Sequence, residues 1–194
     1  QKNIKKKYWY KIGTKTVKVK LTKFRGLKVF YGKNHTDQRG TFREIFIKKK
    51  IKGFKNIFWC MSRSKKNVIR GLHIQKNKNQ AKYVSVLKGK IFDVALDLRK
   101  KSKTYGRSFT IILSDKNSKS IYIPEGFAHG FMGMDKENCV VYANSNYRLK
   151  KNEIGILWND KKLNIKWPRK NPVVSSKDKQ NFTLEEFTKK FKKY

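Results

Sequence analysis

The sequence predicts a mainly β fold, an antiparallel sandwich or barrel in one domain, closed by a single C-terminal helix. Three observations predict it. Short apolar or alternating runs recur along most of the chain, turn signals such as "GK", "SDKN" and "PEG" separate them, and the period becomes helical only in the last segment. A chain of 194 residues with no Pro/Gly/Ser-rich linker favours one substantial core over two small ones. Its 13 Phe, nine Tyr and four Trp are ample for a packed interior.

Taken in order, the lysine-rich start "QKNIKKKYWY" has no core-forming pattern, so residues 1–15 read as a basic extension and 16–194 as the folded domain. Strands then follow in "TVKVKLTKF", "LKVFYG", "REIFIKK", "NIFWCMS", "VIRGLHIQ", "KYVSVLKGKIFDVALDL", "RSFTIILS", "SIYIPEGF", "CVVYANSNY" and "IGILWND". Alternation is explicit in "KIFDVALDL". Phe92, Val94, Leu96 and Leu98 share one face, and Asp93, Ala95, Asp97 and Arg99 the other, which must meet water or line a polar cavity. In "NFTLEEFTKKFKKY", Phe182, Leu184, Phe187 and Phe191 fall at helical spacing behind Thr183, a cap residue with Glu186 three positions on. A stretch such as "SSKD" before it reads as loop.

Fifty Lys plus Arg against 13 Asp plus Glu give a net charge of +37, an attraction to any polyanion. Lysine dominates that excess and is spread along the chain, whereas base reading leans on clustered arginine forks, so a dedicated nucleic-acid interface is not indicated. Cys60 and Cys139 lie far apart without a CxxC pattern, which argues against a zinc site or a disulfide framework and reads as two reduced, buried thiols. No apolar run approaches the ~20 residues a membrane span needs, and no apolar stretch follows the basic start as in a signal peptide; the expectation is a soluble cytoplasmic protein.

The stretch "RGLHIQ", Arg70 to Gln75, carries the chemical question. Period-2 geometry sends Leu72 and Ile74 to one face, and Gly71, His73 and Gln75 to the other, which in a small barrel is the lumen. His73 is then a metal ligand, a catalytic base or a hydrogen-bonded buried ring. A metal centre wants several convergent ligands, and three histidines without an HxH pair supply few. Acid–base chemistry wants an orienting carboxylate, an opposing proton donor and a stabiliser of developing charge. Asp178, Asp93 or Asp97, Tyr142 and Lys82 are candidates, each with a plainer reading as turn or packing residue.

The motifs "DQRGTFREIF", "RSKKNVIRGLHIQ", "QAKYVSVLKGKIFDVALDLRKKSKTYG", "IYIPEGFAHGF" and "EIGILWND" run in the order and spacing of one family. Over roughly residues 16 to 180 the chain resembles the dTDP-4-dehydrorhamnose 3,5-epimerases, cofactor-independent sugar isomerases of cupin fold, a jelly roll or double-stranded β-helix barrel. That resemblance implies a dTDP-4-keto-6-deoxyhexose substrate inverted at C3 and C5 through an enolate, with no metal or cofactor. It implies His73 as base, Asp178 as its paired carboxylate, Tyr142 as acid and Lys82 as the enolate's stabiliser. It also implies Arg39, Phe42 and Glu44 at the nucleotide and Arg70 at the diphosphate. It further implies His129 and Asp93 as a supporting pair near the sugar, and Gln75, Arg148 and Lys177 as substrate-binding residues. Imidazole, ionising near ~6.5, suits carbon-proton abstraction at neutral pH.

Three positions depart from the family pattern. Phe58 and Cys60 stand where a Gln and an Asn are frequent, and Arg148 where a tyrosine commonly stacks, so base or sugar recognition is altered more than proton chemistry; arginine can also stack on a nucleobase. The resemblance further implies a homodimer with exchanged N-terminal strands. Two alternatives stand beside dual epimerisation: a single-centre epimerase or ketoisomerase on a related nucleotide keto-sugar, and a non-catalytic basic cupin that binds polyanions.

Overall fold

The computed structural model describes residues 9–10 and 17–191. Of the basic extension expected over 1–15, only the backbone of Trp9–Tyr10 is described; the rest lies outside the described residues.

Fifteen strands form, most of them on the apolar runs, whereas the strand expected in "REIFIKK" is irregular backbone that ends in a 3-10 turn at Lys48–Lys50: β1 (Trp9–Tyr10), β2 (Lys18–Leu21), β3 (Lys28–Tyr31), β4 (His35–Asp37), β5 (Gly40–Phe42), β6 (Phe58–Lys65), β7 (Val68–Gln75) and β8 (Lys82–Lys88), then β9 (Lys90–Asp97), β10 (Ser108–Ser114), β11 (Lys119–Ile123), β12 (Phe127–Gly133), β13 (Glu137–Asn144), β14 (Glu153–Gly155) and β15 (Val173–Val174). A seven-stranded sheet runs β1-β2-β3-β11-β8-β13-β6. A second runs β10-β9-β12-β7-β14, with β15 added parallel to β7, and β4 and β5 form a separate hairpin. All other pairings within the two main sheets are antiparallel, the jelly-roll arrangement the resemblance implied.

The second sheet is covered on both faces along β9, which reorganises the alternation read in "KIFDVALDL". Between the sheets, Val84 and Val86 of β8, Ile121 of β11 and Val140 of β13 meet Ile91 and Ala95 of β9 and Phe131 of β12. Val94, Leu96 and Leu98 belong to a different core, on the outer face of the second sheet, where Leu72, Ile74, Ala128 and Ile156 pack beneath Phe187. A third cluster, with Phe30, Ile51, Phe54 and Tyr83, covers the outer face of the first sheet. The carboxylate face of β9 therefore points inward, not to water. Asp93 and Asp97 are both fully buried. At the end of β9, Asp97 accepts hydrogen bonds from Arg99, Ser102 and Thr104, which makes it a loop anchor and removes it from the acid–base candidates.

The C-terminal helix forms as its signals require. Within α2 (Leu184–Lys190), Thr183 accepts from the Glu186 N–H while the Glu186 carboxylate accepts from the Thr183 N–H, satisfying two orphan donors at the helix start. Phe187 is its buried anchor. The loop expected at "SSKD" is instead a one-turn helix, α1 (Ser176–Lys179), because Ser175 caps the Asp178 N–H at 3.1 Å. The two thiols differ: Cys139 is buried, but Cys60 is exposed. Among the described residues no helix is long and apolar enough to cross a membrane.

Candidate active site

β7 lies inside the second sheet, between β12 and β14, and carries His73 opposite His129 on one side and Gly155 on the other. Leu72 and Ile74 enter the outer core, so the period of the strand turns the imidazole to the space between the sheets. The β7–β12 pairing is unusually close. A Cβ at Gly71 would fall 2.6 Å from Gly130 Cα, and Gly71 sits at φ +119°, so only glycine fits there. A bulge in β12 between His129 and Phe131 adjusts the register beside it.

The late helix α1 supplies the carboxylate. Asp178 Oδ1 lies 2.6 Å from His73 Nε2, Oδ2 accepts from the Gly71 N–H at 3.2 Å, and Asn181 Nδ2 donates to Oδ1 at 3.5 Å. Burial alone would raise the Asp178 pKa, but the hydrogen bond and charge of His73, with the Gly71 N–H, outweigh it and hold the carboxyl below its usual range. An ionised carboxylate only accepts, so Nε2 carries the proton and Nδ1 is left with the free lone pair. Asp178 thereby fixes a base-competent tautomer.

The facing sheet brings the other groups. Lys82 on β8 pairs across from Asn144 on β13, and Tyr142 on β13 pairs across from Cys60 on β6. Burial pushes the Lys82 ammonium below the ordinary lysine range, against the opposing pull of Glu153, and no hydrogen bond or ion pair holds it among the described residues. Burial also drives the Tyr142 phenol well above the usual tyrosine range, which keeps it protonated, and its hydroxyl lies 2.9 Å from Ser62 Oγ. His73, Asp178, Lys82, Tyr142, His129, Arg70, Arg148 and Lys177 all line one cavity of about 670 Å³, a size suited to a nucleotide-linked sugar. Arg70 is held by Ser64 Oγ at 2.9 Å and the Arg63 carbonyl at 3.0 Å, its guanidinium at the cavity wall.

Asp93 and His129 pair as expected, but Asp93 itself does not line the cavity. It is fully buried, with its Oδ2 2.7 Å from Nε2 of His129, while Oδ1 has no hydrogen-bond partner among the described residues. Gln75 does not reach the cavity either. Its buried amide donates to the Lys78 and Tyr147 carbonyls and accepts from the Leu149 N–H, tying together the loops that flank the site. Nor does one chain bring in Arg39, Phe42 and Glu44. Arg39 pairs with Asp37 in the exposed β4–β5 hairpin, Phe42 is 68% exposed and Glu44 is exposed beyond it.

Ser62 and Glu153 are among the cavity residues that escaped the sequence reading. Ser62 shares the period-2 face of Cys60 and Ser64, a signal too common to single it out. Glu153 opens the "EIGILWND" motif and accepts from Arg148 at 2.9 Å and Lys177 at 2.5 Å. Burial would raise its pKa, but these two cations pull it down to about 2. The departures Phe58, Cys60 and Arg148 do line the cavity, with Phe58 stacked on Tyr147 at 5.9 Å. Among the described residues no group of three or more His, Cys, Asp or Glu converges to hold a metal ion.

Known proteins share both pattern and shape. The family model described as dTDP-4-dehydrorhamnose 3,5-epimerase matches residues 21–186. The epimerase of that name from Shigella flexneri is 44% identical over 156 residues, 77% of this chain and 86% of the relative. That from Methanothermobacter thermautotrophicus is 39% identical over 78% and 86% of the two chains. Among solved structures, a dTDP-6-deoxy-D-glucose-3,5-epimerase from Legionella pneumophila, in complex with dTDP-4-keto-L-rhamnose, superposes with a TM-score of 0.83 at 35% identity, covering 87% of this chain and 93% of that one. A 4-keto-6-deoxy sugar epimerase from Streptomyces spheroides gives 0.86 at 28% identity, covering 90% of each chain. With the family model spanning most of the folded domain and relatives at this identity, the chain belongs to the dTDP-4-dehydrorhamnose 3,5-epimerase family.

Proposed function

We propose that this chain is an isomerase that converts dTDP-4-dehydro-6-deoxyglucose to dTDP-4-dehydrorhamnose, inverting C3 and C5, in deoxysugar synthesis. The observation that carries the reading is the His73–Asp178 pair, 2.6 Å apart, in one cavity with Tyr142 and Lys82. The C4 ketone acidifies its neighbouring carbons, so the substrate is its own electron sink and the chemistry calls for no cofactor. His73 Nδ1 takes the carbon proton, and the electron pair moves to O4, where the Lys82 ammonium favours enolate over ketone. Tyr142 then protonates carbon from the other face. Arg70, with a planar fork at the cavity wall, suits the diphosphate, and Lys177 and Arg148 add charge complementary to the substrate.

The decisive experiment incubates purified protein with dTDP-4-keto-6-deoxyglucose in D2O. Deuterium at both C3 and C5 is expected. Incorporation at one carbon would favour the single-centre alternative, and none would sink the epimerase reading. The polyanion-binding alternative is separated by salt: binding to a polyanion collapses between low and physiological ionic strength, whereas turnover of a diphosphate sugar changes modestly.

The same reading makes the protein a cytoplasmic homodimer with exchanged N-terminal strands. Its support is the exposed apolar surface of Phe42, Trp59 and Met61, the last two on β6 at a sheet edge, together with the stranding of Arg39, Phe42 and Glu44 outside the cavity of their own chain. A second copy would bring those three residues to the nucleotide. A net charge of +37 opposes self-association, so the contact has to be large and apolar. Sedimentation of a monomer at working concentration would refute it.

A further inference from the structure

Two inversions by one base and one acid leave a proton out of place. After the first, His73 holds an extra proton and Tyr142 lacks one, yet the second inversion needs a neutral imidazole and a phenol again. The acid must be recharged while the sugar fills the cavity. Tyr142 lines that cavity, so a donor beside its hydroxyl is the direct route for a returning proton. Ser62 Oγ, at 2.9 Å, makes the one side-chain hydrogen bond of that hydroxyl among the described residues. Cys60, its cross-strand neighbour, offers only a thiol, a weak donor whose sulfur lies 3.5 Å from Asn144 Nδ2. Ser64, next on the same face, is engaged with Arg70.

We propose that Ser62 is a positioning residue for the acid, one that returns a proton to the Tyr142 hydroxyl between the two inversions. The inference rests on the epimerase reading and adds a residue to its proton path. A serine hydroxyl accepts and donates at once. In the resting site it accepts from the phenol. Once Tyr142 has formed the new C–H bond, Ser62 donates to the phenolate, passes its proton to it, and takes one from water in the cavity it lines. His73 releases its added proton to solvent, so the cycle balances, with no net proton gained and no electron transferred. Arg70, at the same wall, adds positive charge that favours the transient phenolate.

The test compares wild type with S62A and S62T, using dTDP-4-keto-6-deoxyglucose in D2O and following deuterium at each carbon and the singly and doubly inverted products. Circular dichroism confirms that each variant folds. In S62A, exchange at the first carbon stays within about threefold of wild type, while the second inversion falls about tenfold or more and the singly inverted sugar accumulates. S62T, which keeps the hydroxyl, restores the product ratio. If S62A slows exchange and inversion equally, or leaves the product ratio of wild type, the inference is overturned. A wild-type protein that exchanges no deuterium sinks the epimerase reading, and this inference with it, a result distinct from either.

Discussion

Replacing Asp178 by Asn isolates what the carboxylate does for the base. Shape is almost unchanged and the Asp178 backbone N–H keeps its Ser175 cap, but the negative charge 2.6 Å from His73 Nε2 is gone. A hydrogen bond to a charged group contributes about 1.5–3 kcal/mol. At 1.36 kcal/mol per factor of ten, that loss is about 10- to 150-fold in kcat when the asparagine oxygen still faces Nε2. If its NH2 turns to Nε2 instead, the tautomer reverses, Nδ1 becomes protonated and the loss is larger. The assay is the initial rate of deuterium wash-in from D2O, which reads carbon-proton abstraction directly, with H73A as the zero-base reference. A D178N protein that exchanges within threefold of wild type would refute the assignment of Asp178 as orienter. Residual wild-type exchange in H73A would move the base elsewhere.

Lys82→Met should lower kcat about 100-fold or more by removing the enolate's counter-charge, and should also raise Tm by about 2–4 °C, since it removes a desolvated cation with no hydrogen-bond or ion-pair partner among the described residues; a lowered Tm would mean the ammonium is held by a contact within the fold. Glu153 contributes stability with a defined pH window. Its folded pKa, about 2, lies below its ordinary 4.5, so the contribution is full above about 4.5 and is lost as pH falls towards 2. Arg148 and Lys177 are more than half exposed, so screening holds it to about 1 kcal/mol. Urea midpoints of wild type and E153Q should converge between about pH 6 and pH 3, and a constant gap would contradict the linkage. Gly71→Ala would drive a methyl into the β12 backbone at a φ of +119°. It should cost about 3 kcal/mol in denaturant unfolding and displace the N–H that holds Asp178, so unaltered stability would mean the two strands separate readily.

The alternation of β9 is a local property, and its surroundings are not. The period was legible, and so was the split of Asp93 and Asp97 from Val94 and Leu96, because side chains on a strand must alternate. Which face is inside was not, since both are: the C-terminal segment covers the apolar one and the opposing sheet the other. For the same reason the two aspartates, indistinguishable in sequence, part company in space, one behind His129 and one in a loop anchor. Gln75 shares the strand face of His73, but its amide is captured by loop backbone from around Lys78 and Tyr147, an outcome that depends on where those loops fold back. The helix α2 shows the opposite case. Its cap, box and apolar stripe are local, and all of them were written in a few consecutive residues.

The sequence by itself determined the β architecture, the capped C-terminal helix, the family and the identity of the residues that can do acid–base chemistry, because local periodicity, capping and motif order are one-dimensional properties. Tertiary structure decided what those residues are to one another. His73 and Asp178 are far apart in the chain and meet only because β7 and α1 pack together, and that hydrogen bond is what selects the free nitrogen of the base. Ser62 and Tyr142 meet only because β6 pairs with β13, a pairing set by the closing of the sheet.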